Sequence, residues 1–331
     1  MRKVFVSLLM TILLGIMFGS SSAYAKKTDC IIKGTTLVKY SGNAKTYTIP
    51  ENVKKIRKEA FSSAKRLKKI VISKNVKKIN TEAFNGADKL VNICVVKSNK
   101  KFCSFSGVLY SKDKKILIKV PNRKKQVKLL KTIELCNSEA FQNTKLVSIN
   151  LGEKCALKFV SDETPFDGCS NLKEINVHEN NPYYLSADGV LFSKDMTQLI
   201  KYPYAKDATE MYEIPAGVKE IYASAFVYAD IRKIILPESL YKNGENAFTG
   251  CKMSEVVIKG GFNSYFSDFW GFNIFRNCPN LKMITFNNDA IELPWFSSQW
   301  APESVTICSR VGSTTHRYAI DNNLAWCELT N

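Results

Sequence analysis

Apolar and polar residues follow a pattern between residues 49 and 95 that is one unit written twice. The apolar pairs that recur with a spacing of 23 residues are Ile56 and Ile79, Phe61 and Phe84, Leu67 and Leu90, and Ile70 and Ile93. Each copy ends in Leu-x-x-Ile-x followed by an apolar residue, and this alternation predicts a strand with one buried face. Four positions that keep one spacing while the residues between them change indicate an internal repeat.

The repeat continues with more variation to residue 286. Its later apolar strands begin at Leu146, Leu172, Ile231, Met253 and Leu281. A period in the twenties with this strand pattern is typical of leucine-rich-repeat solenoids, in which stacked coils bury one continuous core. The sequence therefore predicts a mainly β fold built as a leucine-rich-repeat solenoid over residues 49–290.

A second period of 82 residues lies over the first. The segment 106–113, Ser-Gly-Val-Leu-Tyr-Ser-Lys-Asp, returns at 188–195 as Asp-Gly-Val-Leu-Phe-Ser-Lys-Asp. Each copy leads into a short apolar strand that ends in proline, Pro121 or Pro203. Short apolar strands around a polar Lys-Asp turn predict β-hairpins. We therefore expect β-hairpin inserts at about 104–122 and 186–204.

These motifs together carry a family resemblance. Ile-Pro-Glu-x-Val-x-x-Ile at 49–56, Ala-Phe-x-x-Cys at 247–251, the Leu-x-x-Ile-x-Ile strands and the hairpin motif at 188–195 resemble the BspA-like leucine-rich-repeat family of bacterial secreted and surface proteins. The closing stretch 312–324 is similar to that family's terminal element. The resemblance implies a nonenzymatic protein of bacterial attachment to host matrix proteins, host cells or other bacteria.

Both ends of the repeat array are predicted to be caps, 26–48 and 291–331, because end coils would otherwise expose apolar faces and strand edges. In the N-terminal cap, the pattern predicts two strands, 36–40 and 44–49, around a turn. In the C-terminal cap, Ser313 is a predicted helix N-cap, and a final strand follows.

Residues 1–25 are typical of a secretory signal peptide. Arg2 and Lys3 precede an apolar run, and small residues lead to Ala23-Tyr24-Ala25. Cleavage is predicted between Ala25 and Lys26. The apolar run is short for a membrane span, so we expect no integral membrane segment after cleavage. We therefore expect a secreted protein. If it is retained at the bacterial cell surface, we expect the attachment to be noncovalent.

Basic charge is concentrated in one part of the chain. The whole chain carries a formal charge of +18, and residues 51–131 hold 24 Lys and Arg against 5 Asp and Glu, a net charge of +19. The rest of the chain therefore sums to about −1. This segment predicts an affinity for acidic partners.

Two sets of basic residues are candidate contacts. In the repeat strands, residues between the apolar positions lie on one exposed sheet face, and the predicted partner contacts there are Lys68, Lys69, Lys173, Arg232 and Lys233. The second set, Lys54, Lys55, Lys77 and Lys78, is predicted to form a strip on neighbouring coils about 5 Å apart. Charges at that distance repel by only about 1 kcal/mol in water, so a solvated face and an anion-binding strip both fit.

The ten cysteines include one predicted disulfide. Cys308 and Cys327 bracket the last element and are the candidate pair, whereas Cys169, Cys251 and Cys278 each follow a repeat phenylalanine by three residues and are predicted to be stacked, half-buried thiols. No Cys-x-x-Cys occurs in the sequence, so it predicts no metal site.

Catalysis has little support in the sequence. His178 and His316 are the two histidines, and neither adjoins a nucleophile motif. Motifs such as Gly-x-Ser-x-Gly, His-Glu-x-x-His and the phosphate loop do not occur. We therefore predict no enzyme activity, no catalytic residue and no cofactor.

Three functional hypotheses follow. The first is an adhesin-like binding protein that uses the exposed sheet face to bind host or bacterial surface proteins or anionic glycans. The second is a cell-envelope module that the lysine strip holds to anionic wall polymers. The third is a glycan-binding protein that uses the aromatic segments 262–272 and 295–300. Nucleic acid is disfavoured as a partner, since export and the lack of a basic-aromatic recognition motif oppose it.

Overall fold

The computed structural model describes residues 29–159, 164–260, 275, 277–289 and 305–330. The predicted signal peptide with its cleavage site at Ala25 and Lys26 lies outside the described residues, as do the aromatic segments 262–272 and 295–300. Among the described residues, no helix has the length and apolar character that crossing a membrane requires.

The described residues form 25 strands, one 3-10 helix at Thr81–Phe84 and one α-helix, α1, at Thr314–Asp321. The strands are β1 Cys30–Lys33, β2 Thr36–Tyr40, β3 Thr46–Thr48, β4 Lys55–Ile56, β5 Lys69–Ile72, β6 Lys78–Ile79, β7 Asn92–Val95, β8 Phe102–Phe105, β9 Val108–Ser111, β10 Ile116–Lys119, β11 Leu135–Cys136, β12 Ser148–Leu151, β13 Ala156–Leu157, β14 Glu174–Val177, β15 Tyr184–Ala187, β16 Val190–Ser193, β17 Gln198–Lys201, β18 Thr209–Glu213, β19 Glu220–Ile221, β20 Ile231–Leu236, β21 Lys242–Asn243, β22 Glu255–Ile258, β23 Met283–Phe286, β24 Thr306–Ser309 and β25 Trp326–Glu328.

The strands stack in two parallel series, so the predicted leucine-rich-repeat solenoid is confirmed. The long-strand face consists of three sheets, β3-β5-β7, β12-β14 and β18-β20-β22-β23-β24-β25. The short-strand face contains β2-β4-β6, β10-β11-β13 and β17-β19-β21. Equivalent residues of successive coils pair in register, for example Ile70 with Ile93.

The repeated Ala-Phe turn fills the space between the two faces. Its phenylalanine rings stack along the core, with centroid separations of 5.7 Å between Phe61 and Phe84 and 5.1 Å between Phe226 and Phe248. The cysteine that follows in some coils is buried and donates its thiol to the carbonyl of the preceding coil's phenylalanine, as Cys251 does to Phe226 O at 2.9 Å. This hydrogen bond accounts for the Ala-Phe-x-x-Cys spacing.

The two predicted inserts fold as hairpins that separate the core into three parts. In the first, β8, β9 and β10 are antiparallel, and β10 then pairs in parallel with β11. Alternate residues of this hairpin are buried in different clusters: Leu109 packs with the N-terminal coils, and Val108 and Tyr110 pack with the middle coils. The second hairpin, β15, β16 and β17, divides the middle coils from the C-terminal coils in the same way.

The hairpin turns interrupt the long-strand face. Gly107 O accepts a hydrogen bond from Ile93 N at 2.8 Å, and Gly189 O accepts one from Ile175 N at 2.9 Å. Each turn therefore occupies the place where the next long strand would pair with β7 or β14. Gly107 has a φ of +77°, and a Cβ there would lie 2.2 Å from Asn92 Oδ1, so the turn favours glycine.

The N-terminal cap contains the two predicted strands on different faces of the solenoid. β2 pairs antiparallel with β1, and β3 pairs in parallel with β5 on the other face. The two strands predicted around residues 41–43 are thus present as β2 and β3, but they do not pair with each other, because the chain crosses the coil there instead of turning back.

The C-terminal cap contains α1 and β25. Ser313 Oγ accepts a hydrogen bond from His316 N at 3.0 Å and caps α1. β25 pairs in parallel with β24. Cys308 and Cys327, which are register partners in that pair, form a disulfide with their Cα atoms 4.7 Å apart.

Two lysines lie fully buried at the ends of β10 and β17, 82 residues apart. Lys119 Nζ donates to Glu139 O at 3.0 Å and Gln142 O at 2.7 Å. Lys201 Nζ donates to Ser224 O at 2.6 Å. Burial lowers the pKa of each ammonium to about 8. These lysines thus fasten the hairpins to the Ala-Phe turn of the following coil.

We expect Phe84→Ala to lower the free energy of unfolding by about 3–5 kcal/mol, because it removes a fully buried ring and leaves a cavity against Phe61. Urea denaturation followed by circular dichroism measures the change. The exposed Lys89→Ala variant serves as the control and should leave the midpoint unchanged. Equal midpoints for the two variants would contradict the proposed contribution of the ring stack.

Between about pH 8 and 10, the two buried lysines make the free energy of unfolding of the wild type rise with pH. We expect the Lys119→Met/Lys201→Met variant to lack this contribution. Each folded lysine releases its proton near pH 8, whereas the unfolded lysine keeps it to about pH 10.4. The unfolded state therefore binds more protons in this window, and each lysine adds a slope of up to about 1.4 kcal/mol per pH unit. Below that window both states are protonated and the slope vanishes.

Urea titrations of both proteins across this pH range test the expectation. Burial raises the pKa of the Cys136 thiol, and this group acts in the opposite direction. Its contribution is common to both proteins, so the comparison uses the difference in unfolding free energy between wild type and variant. Burial also raises the pKa of Cys169, but this thiol interacts with the charges of both lysines, so its change is part of that difference. A difference that stays constant with pH would show that the lysines titrate normally in the folded protein.

Candidate binding faces

Lys68 and Lys69 lie on the long-strand face of the N-terminal coils. Both side chains are exposed, and Lys69 is the register partner of Asn92 in the neighbouring strand β7. The part of the chain that the structure describes provides no carboxylate within ion-pair distance of either ammonium. Their charge is therefore available to a partner.

The other three predicted contacts are occupied by acidic neighbours on the same face. Lys173 Nζ lies 2.7 Å from Asp207 Oδ1, and this ammonium lowers the pKa of the Asp207 carboxyl. Ion pairs of 3.1 Å and 2.6 Å join two further pairs of groups, Arg232 with Glu210 and Lys233 with Glu255. The five residues also lie in, or one residue before, strands of three separate sheets, so the structure does not bring them into one site.

The lysine strip lies on the short-strand face. Lys55 and Lys78 are register partners in the parallel pair β4 and β6, and Lys54 O accepts hydrogen bonds from the amides of Lys77 and Lys78 at 2.8 Å and 3.2 Å. All four side chains are exposed, and within the described residues none forms an ion pair. The strip and the Lys68-Lys69 pair therefore lie on opposite faces of the same coils.

A polar cleft lies where the second hairpin interrupts the long-strand face, and we call it the hairpin cleft. Its volume is about 650 Å³, and it lies between β14, the turn at Asp188 and Gly189, and the segment that leads into β18. Two ion pairs line it, Lys173 with Asp207 and Lys206 with Asp188, the latter at 2.9 Å. Sequence reasoning missed this cleft; the 82-residue period was the available signal, because it marked where a hairpin replaces a strand.

A smaller groove lies beside β12. Its volume is about 320 Å³, and Gln126, Val127, Lys128 and Ser148 line it. It separates the basic segment that follows the first hairpin from the edge of β12. We call it the β12 groove.

Both histidines have structural partners. His178 Nδ1 accepts a hydrogen bond from Asn180 N at 3.2 Å, and His316 Nδ1 accepts one from Gly312 N at 3.0 Å beside the ring of Trp326. Among the described residues, no three or more His, Cys, Asp or Glu side chains are grouped to hold a metal ion.

Solved structures share this fold. A leucine-rich cell surface protein from Faecalibacterium prausnitzii is 19% identical with a TM-score of 0.51, over 93% of this chain and 94% of that one. A leucine-rich repeat protein from Eubacterium ventriosum is 18% identical with a TM-score of 0.50, over 82% of this chain and 80% of that one. At these identities the likeness concerns the fold. No curated protein matches the chain.

The repeat pattern itself matches a family model. The model describes the BspA type leucine-rich repeat region, and six copies match residues 32–111, 122–189 and 197–324. The gaps between the matched ranges, 112–121 and 190–196, fall within the two hairpins, and the matches cover the coils on either side of them. The chain therefore belongs to the BspA-type leucine-rich repeat family.

Proposed function

We propose that this protein is a nonenzymatic, exported or cell-surface binding protein of the adhesin type, and that Lys68 and Lys69 on its long-strand face contact an acidic partner. The observation that carries the proposal is the pairing of charges along that face. Lys68 and Lys69 have no carboxylate partner among the described residues, whereas Lys173, Arg232 and Lys233 each have one. Membership of a family of bacterial surface repeat proteins supports the location.

The distribution of charge fits such a role. Residues 51–131 carry 24 basic against 5 acidic residues, so an acidic partner is attracted to the N-terminal coils from a distance. Complementary charge raises the association rate more than it raises affinity, and salt weakens it. The ion-paired residues of the later coils contribute little to this attraction, because each neighbouring carboxylate cancels most of the field.

We expect Lys68→Gln/Lys69→Gln to weaken attachment of the protein to wells coated with acidic extracellular-matrix protein by about fivefold, since it removes two unpaired charges. The matched control is Arg232→Gln/Lys233→Gln, which removes two charges that already have partners. The control should change attachment by less than about twofold. Thermal unfolding should be unaltered in the first variant. Equal losses in the two variants would refute the assignment to Lys68 and Lys69.

A second candidate function rests on the lysine strip. Lys54, Lys55, Lys77 and Lys78 form an exposed row with in-register spacing on the short-strand face. Such a row matches the repeated negative charges of an anionic wall polymer, and it lies on the face opposite to Lys68 and Lys69. The protein in this case is a cell-envelope module held by charge.

For this candidate, we expect about 1 M sodium chloride to release the protein from cells, because salt at that concentration shortens the screening length to about 3 Å. Replacing the four strip lysines with glutamine should release it at low salt, and Lys68→Gln/Lys69→Gln should not. Retention of the four-glutamine variant on cells would rule out the strip as the holding surface.

A further inference from the structure

The two hairpins are copies of one design, and their surroundings differ in charge. In the second copy, Lys206 Nζ donates to Asp188 O at 2.7 Å and lies 2.9 Å from Asp188 Oδ2. In the first copy, Lys124 Nζ donates to Ser106 O at 2.8 Å, which is the equivalent contact 82 residues earlier. The hydrogen bond to the turn is therefore retained, whereas the carboxylate is not.

Two further acidic residues of the second copy are replaced in the first copy by a basic or a neutral residue. Asp207, which pairs with Lys173 in the second copy, corresponds to Lys125 in the first. Glu174 corresponds to Asn92. The first hairpin thus keeps the backbone arrangement of the hairpin cleft, but Lys124 and Lys125 beside its turn have no carboxylate within ion-pair distance among the described residues.

Apolar exposure distinguishes the first hairpin as well. Phe105 precedes the turn and is 51% exposed, whereas the equivalent residue of the second hairpin is Ala187. Val147, just before β12, is 37% exposed. A large apolar side chain beside unpaired lysines is typical of a surface that contacts a polypeptide.

The third difference is an open strand edge. In the second copy, β18 pairs with β20, so β20 has a neighbour on both sides. The segment equivalent to β18 is 127–131, and it forms no strand, so β12 pairs with β14 alone. The β12 groove lies along this edge. Unpaired strand edges can accept a further strand from another chain.

From these differences we propose that the first hairpin and the open edge of β12 bind an acidic polypeptide segment in an extended conformation. The docking surface consists of Phe105, Lys124, Lys125, Lys128, Val147 and Ser148. The backbone of the bound segment pairs with the edge of β12, its carboxylates meet the lysines, and its apolar side chains contact Phe105 and Val147. An anionic glycan meets the lysines equally well but has no backbone amides to pair with a strand. This inference rests on the proposed function, because it specifies the acidic partner.

The test replaces three residues at the first hairpin with their equivalents at the second, in the variant Phe105→Ala/Ser106→Asp/Lys125→Asp. We call it the exchange variant. Ser106 and Asp188 both have a φ of 48°, so the aspartate fits the turn without added strain. The matched control is Lys206→Gln, which changes the second hairpin instead. Thermal unfolding establishes that both variants fold.

The probe is a fluorescein-labelled peptide of alternating glutamate and valine, and fluorescence anisotropy measures its binding. We expect the wild type and Lys206→Gln to bind it equally, and the exchange variant to bind about tenfold more weakly. The same peptide with alternate backbone amides methylated should bind about tenfold more weakly to the wild type, since it cannot pair with a strand edge. Unchanged binding by the exchange variant, or undiminished binding of the methylated peptide, would overturn the proposal.

Two further measurements distinguish failure of this docking surface from failure of the proposed function. Heparin that binds to the wild type while the peptide does not would assign the surface to a glycan and overturn the inference. Attachment that is lost in Lys68→Gln/Lys69→Gln but kept in the exchange variant would leave the proposed function standing and remove only this docking surface. Failure of the wild type to bind any acidic probe would remove both.

Discussion

The whole structure depends on one constraint: each coil can bury its apolar face only against the next coil. Parallel ladders on two faces and a column of phenylalanine rings between them satisfy this constraint together, because both require equivalent residues to recur at a fixed spacing. The side chains that face outward are free of that requirement. Charge can therefore change from coil to coil while the core stays the same.

This separation explains how much of the fold the sequence predicts. Ile70 and Ile93 identify neighbouring rungs because both are core residues with register partners. The N-terminal cap was harder, since strands 36–40 and 44–49 are too short for periodicity to show which face each joins. Lys119 and Lys201 were missed for another reason: a buried lysine is rare, and only the carbonyl groups of the following coil, which come from a distant turn, make it tolerable.

The candidate site could be predicted only in part. Composition correctly places the excess of basic residues in the N-terminal coils, and alternation places Lys68 and Arg232 on exposed positions. The same pattern cannot tell that Arg232 has Glu210 beside it, because the two residues are 22 positions apart and meet only through stacking. Open strand edges are equally hard to predict, because an edge is open only when the neighbouring segment does not form a strand.

The hairpins also determine how the molecule would respond to a pull. Each one presents alternate residues to two different cores, so it closes one block of coils and begins the next. Both strand ladders are interrupted at the same places. A chain under tension, as when one end is held on a cell and the other on a surface, would therefore yield block by block at these partitions, and the disulfide between β24 and β25 would keep the last rung closed.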